Sequence, residues 1–463
     1  MSTTPFARPL ADFFLVAVLC VSTCSATTPN TPPSRTFEVP PTWSSVTTEA
    51  KHSDTQKWWL DFNDNTLNQL VDRAFVSNFD LKAAAARLAQ ARALTDGAEA
   101  EKRPTLDGAA AAQRGRVNGL APKIERTSLE LRAGWELDVF GRLSGAIDAA
   151  QADAEGAAMA LQAARIALVA DICSAYFELR TLDRRLEVRN QSQELSTKQI
   201  NIARRKFEAG SASALDVERW QAEQARDIAS MAQLEGERSK LLNQLAVLLG
   251  ESKAPHIPPS TSFVLALTPP GMVLPGILLE HRPDVQQRSR ALDAALSRVG
   301  VARRDLYPRL QIAWGGAKER FSIANESVAP KFSMGYGISI SLPILDGGRI
   351  KANIAVQDAR AKEAMAEYEK SILMALSEVE TALMKWQASE SSFAESQRAQ
   401  LATEKSAFHA QRLYEAGLLD LAAVLDTQRA HMQSREALAE ADGFRLRAAV
   451  DLRRAFAGAV SSD

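Results

Sequence analysis

Residues Phe332–Arg349 read FSMGYGISISLPILDGGR, and the first part of this stretch alternates in character. Large apolar side chains occupy every second position from Phe332 to Leu342, with serine or glycine between them. Because successive side chains of a strand point to opposite faces, this pattern predicts a strand with one apolar face and one small, polar face. Such a strand suits a membrane barrel, with hydrocarbon outside and a wet or narrow lumen inside. Pro343 and Gly347-Gly348 then end the strand, and a long helical pattern begins directly after them.

The overall composition excludes several classes of function. The 463-residue chain has a formal net charge of −1 and 24% charged residues, so a basic face for binding nucleic acid is not expected. The sequence has no uninterrupted apolar run of about 18 residues or more, so a membrane role would have to come from strands. The five histidines and three cysteines show no metal-ligand spacing, and neither a metal site nor a cofactor is predicted.

The N-terminal segment has the features of an export signal. Residues 1–23 combine a positively charged start with the apolar run from Phe13 to Val21, which is too short to span a membrane and predicts a signal peptide. Cys24 follows this run as the cysteine of a bacterial lipobox does, and we expect it to be acylated. The alternative is simple cleavage after Ala26. Residues 24–57 are rich in proline, serine and threonine, which predicts an extended tether.

A second strand with one apolar face lies in the first half of the chain. From Leu129 to Leu137, leucine, alanine and tryptophan alternate with charged residues and glycine, and Gly141-Arg142 follow. From Ile147 to Phe207 apolar residues recur every three or four positions, which predicts a helix of about 65 residues and roughly 100 Å. Gly210 interrupts this pattern, and a second helix is expected to return from Ala214 to Leu249.

The second half of the sequence repeats this design. Pro308 corresponds to Pro104 at an offset of 204 residues, and Gly348-Arg349 correspond to Gly141-Arg142 at an offset of 207. Self-similarity over such a period indicates a duplicated structural unit. The predicted division is a first repeat at 58–250 with strands 104–116 and 127–139 and a helical hairpin 143–249, a linker at 251–283, a second repeat at 284–458 with strands 308–320 and 332–344 and a hairpin 349–456, and a tail at 459–463.

Four membrane strands do not form a complete barrel by themselves. Single-chain barrels need at least about eight strands, and an open sheet edge cannot face lipid. The sequence therefore predicts an oligomer, in which two copies would supply eight strands and three copies would supply twelve. The fold class that follows is a mixed membrane β-barrel and long α-helical barrel, with four strands and two long helical hairpins per chain in a tandem repeat.

Several short motifs occur in order along the chain. They are Trp58–Asp64 (WWLDFND), Glu136–Arg142 (ELDVFGR), Arg282–Val285 (RPDV), Pro343–Arg349 (PILDGGR) and the two glycine-containing turns. Together with the repeat they resemble the TolC-like outer membrane efflux family, and within it the NodT-type lipoprotein branch, from Trp58 to Gly458. The resemblance implies a homotrimer with a 12-stranded barrel in outer-membrane lipid. It also implies an exit duct without catalytic activity, joined by a periplasmic adaptor to an inner-membrane transporter of RND type.

The resemblance also assigns roles to residues near the two turns. The turns after Phe207 and Tyr414 would lie at the periplasmic tip, where the adaptor docks. Asp426 matches an aspartate that helps to close the pore, and threefold symmetry would make it a ring of carboxylates that repel one another and favour cations. Asp420 and Asp216 are expected near this aperture. The residues expected to contact the adaptor are Gly210, Ala212, Leu215, Gly417, Leu418 and Leu419.

Two other interpretations of the same pattern involve no transport. A trimeric coiled-coil surface protein of the adhesin type would also combine strands with long helices, but such proteins usually place their strands together at one end. A soluble periplasmic coiled-coil scaffold would leave the apolar face of residues 332–342 exposed to water. An enzyme is not indicated, because no nucleophile–base or metal constellation is present. Two separate strand pairs, each followed by a helical hairpin, favour the duct.

Overall fold

One structural unit occurs twice along the chain. Each copy consists of two helices, an antiparallel pair of strands, a very long helix and a shorter return helix. The computed structural model describes residues 39–43, 57–116, 123–211, 213–259, 274–323 and 326–456.

Three of the four helices have the same length in both units. In the first unit the elements are α1 (Asn65–Ser77), α2 (Phe79–Ala100), β1 (Thr105–Arg116), β2 (Lys123–Leu137), α3 (Arg142–Glu208) and α4 (Ala214–Leu249). In the second they are α5 (Pro275–His281), α6 (Pro283–Arg304), β3 (Arg309–Ile323), β4 (Glu326–Ser341), α7 (Arg349–Glu415) and α8 (Leu421–Phe456). Helices α2 and α6 have 22 residues each, α3 and α7 have 67, and α4 and α8 have 36. At 1.5 Å per residue the long helices extend about 100 Å.

An aspartate connects each strand pair to its long helix. Asp138 accepts hydrogen bonds from the backbone N–H groups of Leu143 (2.9 Å) and Ser144 (2.7 Å). Asp346 accepts one from Ile350 (2.7 Å) at the start of α7. Burial raises the pKa of Asp138, but its hydrogen bonds outweigh burial, and the pKa of both carboxyls lies below the ordinary value. Each carboxylate thus satisfies N–H groups of the first helical turn, which have no partner within the helix.

The strands form one antiparallel sheet in the order β1-β2-β3-β4. Gly134 of β2 pairs with Thr105 on one side and with Ala313 on the other, so the register continues across the sheet. Strand β4 begins at Glu326 instead of position 332, where its alternation begins. The intervening residues ESVAPK do not alternate, so pairing with β3 rather than a sequence pattern defines this part of the strand. Strands β1 and β4 are the two edges of the sheet in the single chain.

The largest apolar core lies about 50 Å along α3 from the sheet. Phe177 of α3 packs edge-to-face on Phe62, with 4.8 Å between the ring centroids, and Leu67 of α1 and Leu245 of α4 are fully buried in the same cluster. The hydroxyl of Tyr176 donates a hydrogen bond of 2.6 Å to Asp64. Burial of each large side chain contributes about 1.5–3 kcal/mol, so this cluster holds α1, α3 and α4 against one another.

Trp43 is the last residue of a short described segment, and it is buried against the C-terminal end of α8. Its ring packs edge-to-face on Phe456 with centroids 6.2 Å apart, in a cluster that includes Leu278 and Val379. Val379 lies 31 residues after Gly348 in the sequence. Trp43 is therefore held about 45 Å along α7 from the sheet.

One helix of the described residues, α3, is long and apolar enough to cross a membrane by length and composition alone. Of its most apolar window, 33% is buried against the rest of the chain, and core helices of soluble proteins meet the same criterion. Polar residues interrupt the apolar stretch, which is why counting uninterrupted apolar residues in the sequence did not single it out.

Candidate functional site at the sheet and the helical turns

The register gives the sheet one continuous apolar face. Directly opposed residues of neighbouring strands share a face, and Tyr336 lies opposite Trp314, while Ile338 lies opposite Ile312 and, across β3, Trp135. Tyr336 is 89% exposed and Ile338 is 71% exposed, and they belong to a contiguous apolar patch of the kind that marks an interaction or membrane surface. The large apolar residues of this face are Leu106, Leu129, Leu131, Trp135, Leu137, Leu310, Ile312, Trp314, Phe332, Met334, Tyr336, Ile338 and Ile340.

Over the length of the apolar face, the opposite face is polar or small. On β2, Arg132 forms an ion pair with Glu130 at 2.8 Å. Glu136 accepts two hydrogen bonds of 3.0 Å from Arg142 at the start of α3. The polar residues of this face include Asp107, Gln113, Ser128, Glu130, Arg132, Glu136, Gln311, Ser339 and Ser341. One apolar and one polar face is the pattern of a barrel wall between hydrocarbon and a water-filled lumen.

Both long helices end in the same left-handed glycine turn. Gly210 has a φ of +69° and Gly417 a φ of +74°, a conformation that side chains other than hydrogen disfavour. In the first turn the N–H of Ser211 bonds to the carbonyl of Lys206 at 2.8 Å, and in the second the N–H of Leu418 bonds to the carbonyl of Leu413 at 2.9 Å. These are Schellman motifs, which satisfy the last carbonyls of each helix and make the turns rigid.

The return helices begin with side-chain caps. The hydroxyl of Ser213 accepts a hydrogen bond of 3.1 Å from the N–H of Leu215 at the start of α4. Asp420 accepts one of 2.9 Å from the N–H of Ala423 at the start of α8. Asp420 thus has a capping role that does not depend on any aperture.

The two turns are packed together within one chain by a small apolar cluster. Trp220 of α4 is 3% exposed and Leu421 of α8 is 4% exposed. Lys206 Nζ lies 4.8 Å from the ring centroid of Tyr414. Burial raises the pKa of the Tyr414 hydroxyl, and the charge of Asp216 raises it further. We call this set the tip cluster; it comprises Ile200, Ala203, Val217, Trp220, Tyr414, Leu421 and Leu425.

An arginine bridges the two return helices near the tip cluster. Arg429 of α8 donates to Glu223 of α4 through Nε at 3.0 Å and through Nη2 at 2.8 Å. Its Nη1 lies 3.6 Å from Asp426 Oδ1, and the Asp426 side chain is 77% exposed. Asp426 is therefore both accessible and electrostatically coupled to the contact between α4 and α8.

A second arginine repeats this link farther from the turns. Arg189 of α3 lies 3.0 Å from Asp227 of α4 and makes two hydrogen bonds, of 2.6 and 2.7 Å, to Glu436 of α8. Asp227 is buried and also accepts a hydrogen bond of 2.6 Å from Ser192. Charged bridges therefore connect α3, α4 and α8 at more than one level above the turns.

The structure brings most of the site residues predicted from the sequence to these turns. Leu418 is 73% exposed and Leu215 is 53% exposed, whereas Leu419 and Asp216 are half-buried. Gly210 and Gly417 cap helices. Cys24 and Ala212 lie outside the described residues. Among the described residues, His, Cys, Asp and Glu form no group of three or more that could hold a metal ion.

Sequence reasoning missed Arg429 and Glu223. Arg429 follows Asp426 by three residues, and this spacing on a helix is a signal for an ion pair that could have been used. Glu223 lies 206 residues away along the chain. No local pattern indicates that contact, because it arises only from the packing of α4 on α8 through the tip cluster.

Comparison with known proteins places the chain in a family. The family model described as outer membrane efflux protein matches residues 70–251 and 274–458, which are the two structural units. The chain is 29% identical over 462 residues to the pyoverdine export outer membrane protein OpmQ of Pseudomonas putida, covering 96% of this chain and 97% of the relative. It is 26% identical over 388 residues to the cation efflux system protein CusC of Escherichia coli O6:H1, covering 82% and 83% of the two chains.

Solved structures show the same fold. The outer-membrane channel OprN superimposes with a TM-score of 0.77 at 29% identity, covering 91% of this chain and 99% of that one. CusC superimposes with a TM-score of 0.80 at 24% identity, covering 94% and 98%. The family and the fold class predicted from the sequence are thereby confirmed. The chain belongs to the outer membrane efflux protein family.

Proposed function

We propose that this protein is the exit duct of a tripartite efflux pump, which conducts small molecules such as drugs or toxic compounds passively from the periplasm to the exterior. The observation that supports this most strongly is the two-faced sheet with two unpaired edges, joined at each strand pair to a 67-residue helix. Three copies would supply 12 strands and close a barrel in the outer membrane. Their helical hairpins would continue the tunnel into the periplasm.

The two turns are the surface for a periplasmic adaptor. Leu215 and Leu418 are exposed apolar side chains held at rigid, capped turns, which suits the docking of a helical hairpin. The adaptor would join the duct to an inner-membrane transporter of RND type, which supplies the energy. The duct itself has no catalytic role. The cargoes in the names of relatives belong to those proteins, and the cargo here would be chosen largely by the inner-membrane partner.

The aperture lies between the turns and the arginine bridges. Asp426 is exposed on α8, and three copies would present three such carboxylates to the mouth of the tunnel. Converging carboxylates repel one another and attract cations. Arg429 ties Asp426 to Glu223 within each chain, so widening the mouth would require α4 and α8 to move together or this contact to break.

The N-terminus would be attached to the membrane through an acyl chain on Cys24. The support is the lipobox-like sequence before this residue and the proline-rich tether after it. This anchor would supplement a barrel that already spans the membrane.

The purified protein in detergent tests the duct directly. We expect a particle with the mass of three chains, and ion-conducting pores when it is added to planar lipid bilayers. A monomer in detergent, or a trimer that conducts no ions, would contradict the proposed function. A matched control is the chain with Tyr336→Asp and Ile338→Asp, which places charges on the lipid-facing side and should prevent insertion into bilayers.

A further inference from the structure

We propose that neighbouring copies of this chain join in one defined strand register, in which Ser341 of β4 lies opposite Ala109 of the partner subunit. In the same register Ser339 lies opposite Ala111 of the partner subunit. The inference rests on the proposed trimer and adds to it the residue pairing that closes the barrel.

The internal duplication supplies a rule for transferring registers between strands. A residue of β1 corresponds to the β3 residue 204 positions later, as Pro104 does to Pro308, and a residue of β2 corresponds to the β4 residue 207 positions later, as Gly141 does to Gly348. The pair Thr105 and Gly134 then predicts the pair Arg309 and Ser341. The structure contains both pairs. The two offsets come from residues outside the strands. They nevertheless give the observed register between β3 and β4, which was not used to obtain them.

The same rule applies to the junction between copies. Within one chain β2 pairs with β3, and the corresponding junction between chains joins β4 to β1 of the next copy. The observed pair Gly134 and Ala313 becomes Ser341 and Ala109 of the partner subunit. The observed pair Arg132 and Gly315 becomes Ser339 and the partner's Ala111.

The two faces of the sheet provide an independent check. Ser339 and Ser341 lie on the polar face of β4, and Ala109 and Ala111 lie on the corresponding face of β1, opposite Glu130 and Ser128. A register shifted by one residue would bring polar and lipid-facing side chains to the same side. The transferred register keeps both faces continuous around the barrel.

The register also pairs two exposed apolar side chains at the end of the sheet next to the helices. Ile344 is 92% exposed and Leu106 is 68% exposed. The rule converts the observed pair Leu137 and Leu310 into Ile344 and Leu106 of the partner subunit, so in the assembly β4 would continue three residues past its end at Ser341. The junction between copies thus repeats an apolar pair that the structure already contains at the same level of the sheet.

Paired cysteines test the register. We would introduce cysteine at two β1 and two β4 positions in all four combinations, as Ala109→Cys with Ser341→Cys, Ala111→Cys with Ser339→Cys, Ala111→Cys with Ser341→Cys, and Ala109→Cys with Ser339→Cys. Opposed Cβ atoms are about 4.5–5.5 Å apart and diagonal ones about 7–8 Å, whereas a disulfide needs about 4 Å. We expect the first two combinations to give covalent oligomers on non-reducing gels after mild copper–phenanthroline oxidation, in about fivefold higher yield than the others.

Each outcome has a defined meaning. Preferential cross-linking of Ala111→Cys with Ser341→Cys, or of Ala109→Cys with Ser339→Cys, would show a register shifted by two residues and overturn the inference. So would cross-linking of none of the four in a protein that remains trimeric. The oligomeric mass of the parent protein, measured separately, decides whether the duct itself has failed. The single-cysteine variants are the matched controls, and Cys173, which is fully buried, should not contribute.

Discussion

At the scale of residues, one guanidinium holds the two return helices together near the turns. Arg429 contacts Glu223 at 2.8 Å and Asp426 at 3.6 Å. Burial raises the pKa of Glu223, but the hydrogen bonds and charges of Arg429 and Arg226 together outweigh burial, and the pKa is lowered. Glu223 is therefore ionised, and its bond with Arg429 complete, at neutral pH.

Replacing this carboxylate, in Glu223→Gln, should loosen the mouth of the duct. A pair of this kind contributes about 1 kcal/mol, so we expect an open form to gain about fivefold in population and the mean single-channel conductance to rise. Because the folded-state pKa is depressed, the link is present above the unfolded pKa and is lost as pH falls through the folded pKa. Acidification should raise conductance in the wild type more than in Glu223→Gln.

Glu218→Gln is the control for this measurement. Glu218 lies on the same helix and is exposed. It should behave as the wild type at neutral and acidic pH. If Glu223→Gln kept both the wild-type conductance and the wild-type acid response, the bridge would have no part in closing the mouth.

Replacing Asp420 should lower the stability of the protein, whereas replacing Asp426 should change its conductance. Asp420→Ala removes the cap on the N–H of Ala423 and should cost about 1 kcal/mol of stability, seen as a lower temperature of trimer dissociation. Asp426→Ala removes an exposed carboxylate and should raise single-channel conductance while leaving that temperature unchanged. An unchanged conductance in Asp426→Ala would exclude it from the aperture.

The roles of some single residues could be predicted from the sequence, and the roles of others could not. The glycines of the turns were found because helical periodicity stops at them and glycine favours the left-handed conformation. The cap by Asp420 could have been inferred from its place before α8. The bridge from Arg429 to Glu223 could not, since it depends on which face of α4 meets α8.

At the scale of elements, α3 and α8 approach each other closely at a glycine. A Cβ atom added at Gly443 of α8 would lie 2.8 Å from Thr181 Cγ2 and 3.0 Å from Thr181 Cβ, on α3. Neither atom can move away freely, because Thr181 is buried and its hydroxyl donates to the carbonyl of Phe177 at 2.8 Å.

Gly443→Ala should therefore separate these helices and destabilise the protein. Overpacking of this kind costs about 1–3 kcal/mol, which a fall in the dissociation temperature of the trimer would report. Thr181→Ala in the same chain should restore part of the loss by removing the clashing hydroxyl and methyl groups. Gly236→Ala is the control, because its added Cβ meets no atom within 4 Å and should stabilise α4 by about 0.5–1 kcal/mol. Equal effects of the two glycine substitutions would contradict the close approach.

The elements themselves were largely visible in the sequence, but the ends of the strands were not. Alternation indicated the apolar face of β4 from Phe332 to Leu342, because lipid and lumen impose opposite demands on successive residues. Beyond the membrane both faces meet water, the alternation disappears, and β4 nevertheless continues to Glu326 through its pairing with β3.

At the scale of the whole molecule, Trp43 limits how short the N-terminal tether can be. Trp43 is held about 45 Å along α7 from the sheet. Nineteen residue steps separate it from Cys24 in the sequence, and extended chain of that length reaches about 65 Å. An acylated Cys24 could therefore reach the membrane without releasing Trp43.

After deletion of residues 27–36, Cys24 should no longer reach the membrane while Trp43 stays in its cluster. The remaining nine steps reach only about 30 Å. The anchor would then pull Trp43 from its cluster, at a cost of about 3–5 kcal/mol and a lower dissociation temperature. Replacing the same ten residues by glycine and serine keeps the reach and should have little effect. A Cys24→Ser chain secreted by an ordinary signal peptide should tolerate the deletion; if both chains tolerate it equally, Cys24 is not anchored.

Because α3 and α7 are equally long, both halves of the chain span the same distance from the sheet to their turns. One heptad inserted into α3 alone would carry its turn about 10 Å past the turn of α7 and pull apart Ile200 and Leu421 in the tip cluster. Matched insertions into both long helices and both return helices would lengthen the helical part of the chain and keep the two turns side by side. The distance between membrane and adaptor is thus set by two helices of one chain, and it can change only when both structural units change by the same length.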